Sequence, residues 1–196
     1  MWDERYADEE YVYGTEPNVF LKTQIAKLPQ GKILSLCEGE GRNAVYLAKQ
    51  GYEVTGVDSS SVGLEKAEKL AAREGVTIST ELADMGDFHI EPNAWDGVVS
   101  IFCHIPPAMR GELHRQVVAG LKPGGVLILE AYTPEQLAHG TGGPKIASLT
   151  MTAESLKAEL EGLEIESIQE LERDVVEGKF HTGRGAVVQL VARKPG

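Results

Sequence analysis

Positive charge is scarce in this chain. It holds 19 Lys and Arg against 30 Asp and Glu, a formal net charge of −11. Nucleic acids are bound by clustered basic side chains that displace counterions, so this balance argues against a nucleic-acid partner. It argues equally against an anionic membrane surface. Cysteine is scarce too. Cys37 and Cys103 alone do not make the framework of a disulfide-stapled secreted domain. No stretch reaches the ~18 apolar residues that a membrane span requires. The opening Met1-Trp2-Asp3-Glu4-Arg5 lacks the basic, then apolar pattern of a signal peptide, so a cytoplasmic protein is expected. Internal repeats and low-complexity tracts are absent.

The chain does have ordinary globular composition. Its 196 residues are 42% hydrophobic and 25% charged, which suits a single domain spanning 1–196. A core of this size buries ~70% of the unfolded surface, so no disulfide, metal or partner chain is required for stability. A monomer or homodimer is expected. The acid is concentrated. Residues 1–16 hold six acids and one base, residues 153–177 nine acids and two bases, and the remainder is close to neutral. These two segments read as solvated acidic surfaces.

Short apolar runs alternate with helical patterns. Lys32–Cys37, Tyr52–Val57, Val76–Leu82, Trp95–Phe102 and Val126–Leu129 read as strands. Between them, Asn43–Gln50, Ser60–Glu74 and Pro107–Leu121 read as helices, with Leu64, Ala67, Leu70 and Ala71 as one apolar stripe. Pro17–Leu28 reads as a helix with proline at its start. Strand–helix alternation predicts a parallel sheet covered on both faces, a Rossmann-like α/β architecture. The last two strands, Glu164–Val175 and Gly185–Ala192, are joined by residues 176–184. That is too short for a helical crossover, so they should form an antiparallel hairpin.

The segment Leu36-Cys37-Glu38-Gly39-Glu40-Gly41-Arg42-Asn43-Ala44 follows a strand and opens a helix. Gly39-x-Gly41-x-x-Ala44 fits the dinucleotide fingerprint, and Asp58 stands where a ribose-binding acid belongs. Charge separates the ligand classes. A dinucleotide places its pyrophosphate on this helix N-terminus, where Glu38 and Glu40 would repel it. S-adenosylmethionine carries a sulfonium and an ammonium instead, and suits acidic neighbours. A dinucleotide-dependent oxidoreductase is the weaker reading, and a non-catalytic cofactor-binding protein is a rival from another class.

On these residues the chain resembles the class I S-adenosylmethionine-dependent methyltransferases over nearly its whole length. It is similar in particular to small bacterial members of the tellurite-resistance type, through Tyr11-Val12-Tyr13-Gly14-Thr15-Glu16-Pro17-Asn18 and Gly41-Arg42-Asn43. The resemblance implies a seven-stranded sheet in the order 3-2-1-4-5-7-6, with the last hairpin antiparallel. It implies that Ser35 through Gly41, with Cys37, Glu38, Gly39 and Gly41, and with Asn43 beyond, holds the methionine part of the cofactor. Asp58 and Ser59 would take the ribose, and Ala83, Asp84 and Met85 the adenine, with Phe102 nearby. Two departures stand out. The family's acid within the first strand is Ser35 here, and its first glycine is Cys37. Glu38 is the group available to supply the missing charge.

Ligands of open α/β sheets bind beyond the carboxyl ends of the strands. Cys103, His104, Tyr132, Thr133, His139 and the hairpin tip around His181 are expected at that edge. Methyl transfer mainly requires alignment of acceptor, methyl and sulfur, with a base only if the acceptor is protonated. His104, fixed by Ile105-Pro106-Pro107, is the first candidate base, with Tyr132 and His181 as further catalytic candidates. The acceptor is expected to be a small molecule or a soft anion. No metal site is expected, because no closed ligand set with metal-binding spacing exists. Cys37 and Cys103 end neighbouring strands and read as small buried thiols. Residues 1–30 form an N-terminal lid and helix ahead of a 31–196 sheet core. Trp2 to Asn18 is too polar for core and is read as a lid, with Tyr13 or Trp2 against the bound cofactor.

Overall fold

In the computed structural model, which describes residues 1–196, five runs form the parallel part of one sheet. They are β1 (Lys32–Leu36), β2 (Glu53–Asp58), β3 (Ser79–Leu82), β4 (Trp95–Ile101) and β5 (Leu121–Tyr132). The antiparallel hairpin β6 (Glu164–Val176) and β7 (Thr182–Arg193) completes seven strands in the order β3-β2-β1-β4-β5-β7-β6. This is the expected topology. Parallel neighbours need helical crossovers, which α3 (Arg42–Lys49), α4 (Ser61–Arg73) and α5 (Pro107–Gly120) provide.

Side chains alternate along a strand, so an unbroken apolar run feeds two cores at once. Leu34, Val98, Leu127 and Leu129 pack on one face with Leu113 and Val117 of α5. Their neighbours Ile33, Val99 and Ile128 pack on the other face with Ala44 and Leu47 of α3 and with Leu21. The β1–β4 register sets Leu34 beside Val98 and Leu36 beside Ser100, bringing both strand ends to one edge.

Several local expectations are corrected. Pro17 does not open a helix. Asn18 caps α2 (Val19–Gln24) through its side-chain oxygen, which accepts the Leu21 N–H, and a 3-10 turn continues over Ile25–Lys27. An Asn oxygen satisfies a free helix N–H, which proline at this place cannot do. β3 starts at Ser79 rather than Val76, and the hairpin connection shrinks to residues 177–181. β5 starts at Leu121 rather than Val126, taking in Lys122-Pro123-Gly124-Gly125 with a register shift opposite Trp95 and Gly97. The helix α6 (Ala153–Glu159) lies in the segment read only as acidic surface, set by a Thr152/Ser155 capping box.

Nor are the acidic segments wholly solvated. Glu159 receives Arg110 and His114, while Glu166 pairs with Lys27 and Arg193. Glu177 is buried. The N-terminal segment, with α1 (Trp2–Tyr6), also sends Tyr6 and Val12 into the body, so it is not purely surface. No helix is long and apolar enough to cross a membrane.

Candidate active site

The turn from β1 into α3 is built from left-handed backbone. Cys37 (φ 51°), Gly39 (φ 63°) and Gly41 (φ 94°) all have positive φ. Both glycines also meet close neighbours. A Cβ on Gly41 would stand 2.6 Å from the Ala67 backbone of α4, and one on Gly39 would stand 2.8 Å from the Tyr6 hydroxyl. The glycines therefore let α3, α4 and the N-terminal segment close on the loop.

Two buried carboxylates line this turn, and neither makes an ion pair. Glu38 accepts the Ala44 N–H of the first turn of α3 at 2.8 Å and the Ser35 hydroxyl. Its carboxylate thus reaches the strand position where the resembled family carries its acid. Burial pushes the Glu38 carboxyl up to about 7, against the pull of those two hydrogen bonds. Asp58, at the end of β2, accepts the Gly39 N–H at 2.8 Å and the Ser60 N–H at 2.9 Å. Burial raises its pKa as well. Glu40 does not face this space. It is paired with Lys66 and accepts the Val12 N–H at 2.8 Å and the Tyr13 N–H at 3.3 Å. Of the two glutamates expected to set the loop's charge, only Glu38 stays without a cation.

Lys66 also donates to the Asp8 and Glu10 carbonyls at 2.9 and 2.7 Å, so Lys66 and Glu40 clip the N-terminal segment over the loop. Ser60 caps α4 and donates to Asp3 at 2.5 Å, a second tether. Asn43 is used structurally, its side-chain oxygen accepting the Asn18 N–H at 2.9 Å. Ser59 is exposed beside Asp58. Ala83, Asp84 and Met85 follow β3 at the rim, where Asp84 is exposed and accepts the Gly86 N–H, and Met85 is buried.

Beyond the ends of β4 and β5, Tyr132 and His181, expected on the acceptor side, form an aromatic cluster with Phe102 and Tyr13, which were expected against the cofactor. Phe102 and Tyr132 stack with ring centres 4.6 Å apart. His181, from the hairpin tip, stands 4.8 Å from Phe102, 5.4 Å from Tyr132 and 4.6 Å from Tyr13. The hairpin reaches here because its tip docks on the N-terminal segment, Lys179 N–H donating to the Val12 carbonyl at 2.7 Å. Gly143 passes the Tyr132 ring so closely that a Cβ would stand 2.6 Å from it. Burial raises the Tyr132 pKa, so the phenol stays protonated.

The two histidines differ. His104 has both ring nitrogens engaged, Nδ1 with the Leu149 carbonyl at 2.8 Å and Nε2 accepting the Tyr132 N–H at 3.2 Å. Burial lowers its pKa to about 4. Both ring nitrogens are thus engaged by backbone groups, and the ring holds the loop at Leu149 against β5. His181 Nδ1 is buried without a partner. Burial, then the Arg42 charge, lowers its pKa to about 3, so it is neutral at working pH. His139 is turned away, toward Glu172 on β6 at 3.2 Å.

A residue read from the sequence only as part of Gly41-Arg42-Asn43, and given no site role there, joins this site. Arg42 opens α3, is buried, and donates from Nη2 to Glu177 at 2.6 Å, while its Nη1 has no partner. Behind it Arg173 donates to Glu130 and Glu177, and Asn18 Nδ2 donates to both carboxylates at 2.9 Å. The adjacent glycine was the available signal, since a first-turn side chain of α3 must lie at the sheet's carboxyl edge.

The structure also joins Cys37 to Cys103, with Cα atoms 5.4 Å apart. The expectation of two separate thiols is corrected. The ends of β1 and β4 are adjacent, which brings the two cysteines into bridging range.

Residues 33–125 match the methyltransferase domain family. The chain is 36% identical over 69 residues to a probable S-adenosyl-L-methionine-dependent methyltransferase, TehB, of Haemophilus influenzae, covering 35% of this chain and 24% of that protein. It is 30% identical over 150 residues to a tRNA (uracil(54)-C(5))-methyltransferase of Pyrococcus abyssi, covering 69% of this chain and 34% of that protein. The crystal structure of TehB from Haemophilus influenzae superposes with a TM-score of 0.75 at 20% identity, over 98% of this chain and 65% of that one. The chain spans roughly a third to a half of the length of the first of its curated relatives.

Proposed function

The chain belongs to the class I S-adenosylmethionine-dependent methyltransferases and is similar to TehB, and on that premise we propose that it methylates a small molecule or soft anion. The observation that carries the cofactor reading is the pair of buried carboxylates, Glu38 and Asp58, without cations of their own at the glycine turn. A site with that field suits a ligand bearing a sulfonium and an ammonium. When bound, S-adenosylmethionine supplies an activated methyl group. Glu38 holds the ammonium end, Asp58 the ribose, and the rim at Ala83–Met85 the adenine. Tyr6, Tyr13 and the clip of Lys66 on Glu40 keep water from the loop.

The acceptor sits against Phe102, Tyr132, Tyr13 and His181, with the free Nη1 of Arg42 as a donor toward it. A neutral imidazole with a pKa of about 3 is a poor base but a good positioning partner. An acceptor that arrives already deprotonated needs only alignment, and the Arg42 charge favours an anion. Net charge argues against a polynucleotide acceptor. The similarity to tRNA methyltransferases spans only a third of the length of those relatives and does not outweigh it. A labelled-methyl assay over thiols, phenols, soft inorganic anions and tRNA tests the reading. Transfer to a small acceptor is expected. Transfer to tRNA alone would overturn the acceptor class, and absence of cofactor binding would overturn the whole.

A further inference from the structure

Three non-glycine residues in the chain have left-handed backbone: Cys37 at φ 51°, Asn93 at φ 51° and Phe102 at φ 53°. Two of the three adjoin the Cys37–Cys103 bridge. Cys37 is itself bridged, and Phe102 precedes Cys103. An L-residue is disfavoured in this region, whereas glycine enters it freely. Cys37 opens the loop on which Glu38 and Gly39 are hung. The Glu38 N–H donates to the Val57 carbonyl at 3.0 Å, and the Gly39 N–H donates to Asp58 at 2.8 Å. Phe102 is the face that stacks on Tyr132. The bridge therefore ties the cofactor loop to the acceptor wall through two disfavoured backbone positions.

We propose that Cys37 and Cys103 form a reversible redox-modification site that sets cofactor affinity. Bridged, the pair holds Cys37 left-handed and the loop in its binding form. Reduced, Cys37 is free to leave that region, and the loop loses its fixed shape. Bridging removes two electrons and two protons from the thiols. A disulfide oxidant such as oxidised glutathione accepts them. The half-buried Cys37 thiolate attacks it and releases one glutathione. Cys103, which is buried, then displaces the second and closes the bridge. Reduction by dithiothreitol runs the other way, entering at Cys37 and releasing Cys103.

This inference rests on the reading that the Cys37–Gly41 turn binds S-adenosylmethionine. The test is calorimetry with S-adenosylhomocysteine on the full chain, after oxidised glutathione or dithiothreitol. Alkylation and mass measurement count the free thiols in each sample. Bridged protein should bind about tenfold more tightly, the scale of one left-handed residue. Cys103→Ala should bind at the reduced level under both treatments. Adding Cys37→Gly to Cys103→Ala should recover the tighter binding, because glycine takes the left-handed backbone without a bridge. Equal affinity of bridged and reduced protein, two thiols that resist bridging, or failure of the glycine to restore affinity would each overturn the proposal. Absence of binding in every state would overturn the cofactor reading and this proposal with it.

Discussion

Glu38 should contribute to cofactor binding at a cost to stability, and the two effects can be measured separately. In the folded protein its carboxyl titrates at about 7, against an ordinary 4.5, because burial outweighs the hydrogen bonds from Ser35 and Ala44. The sign follows from linkage. A raised folded-state pKa favours the protonated form, so the stability it contributes is full below 4.5 and lost as pH rises through about 7. The gap corresponds to an upper bound of about 3 kcal/mol. Glu38→Gln keeps the hydrogen-bonding outline without the charge. It should raise the Tm of the ligand-free protein at pH 8 and leave it nearly unchanged at pH 4.5. Binding moves the opposite way. If the carboxylate holds the ammonium, about a tenth of the protein is competent at pH 6 and about nine tenths at pH 8, so affinity for S-adenosylhomocysteine should climb roughly tenfold. The glutamine variant should bind ~10–100-fold more weakly at pH 8, the range of a hydrogen bond to a charged group, with a flatter pH profile. Calorimetry in buffers of different ionisation enthalpy would also show proton release on binding by the native chain. Native affinity in Glu38→Gln at pH 8, or a pH-independent native chain, refutes the assignment.

Further outcomes follow from the same geometry. His181→Ala should lower methyl-transfer kcat by ~10–100-fold while S-adenosylhomocysteine affinity stays within about twofold, since the imidazole faces the acceptor side. A matched loss of cofactor affinity would place it elsewhere. Arg42→Met leaves Glu177 with one cation fewer in a buried network and should cost about 3–5 kcal/mol in urea unfolding. A loss under 1 kcal/mol would show that water, not Arg42, solvates Glu177. Burial alone would raise the Glu159 carboxyl, but hydrogen bonds from His114 and Arg110 hold it down at about 2. Its contribution is present above 4.5 and lost as pH falls toward 2, so Glu159→Gln should flatten acid denaturation in that window. Deleting residues 1–16 removes Tyr6, Val12 and Tyr13 from the glycine turn and should weaken cofactor binding about tenfold with the far-UV spectrum retained; unchanged affinity would refute the lid.

The topology was legible because its signals are short-range and mutually consistent. Each of Lys32–Leu36, Glu53–Asp58 and Trp95–Ile101 is a brief apolar run with a helical pattern behind it, and parallel pairing of such units leaves few arrangements. The hairpin was legible because its connection is too short for anything else. What failed was local competition. Asn18 displaced Pro17 as the start of α2 because a side-chain oxygen can satisfy a helix N–H. The seven-residue α6 was hidden because two turns of helix carry too little periodicity to register.

The site was legible in its parts but not in its pairings, and electrostatics shows why. Glu38 and Glu40 are two residues apart and look equivalent along the chain. The fold separates them completely. Glu40 is buried against Lys66, 26 residues away, and the backbone of residues 12 and 13, which offsets its charge. Glu38 turns inward and makes no ion pair, feeling the Arg42 charge only at a distance. His104 and His181 are sorted by the same logic. Proximity to Pro106 and Pro107 suggested a fixed, usable imidazole at His104, yet what fixes it is occupation of both nitrogens by Leu149 and Tyr132. The group left with an open nitrogen comes from the hairpin tip, 77 residues later, beside an arginine held by Glu177. Availability of a charge or a lone pair depends on what else the fold places against it, and those partners are the long-range contacts that residue spacing does not encode.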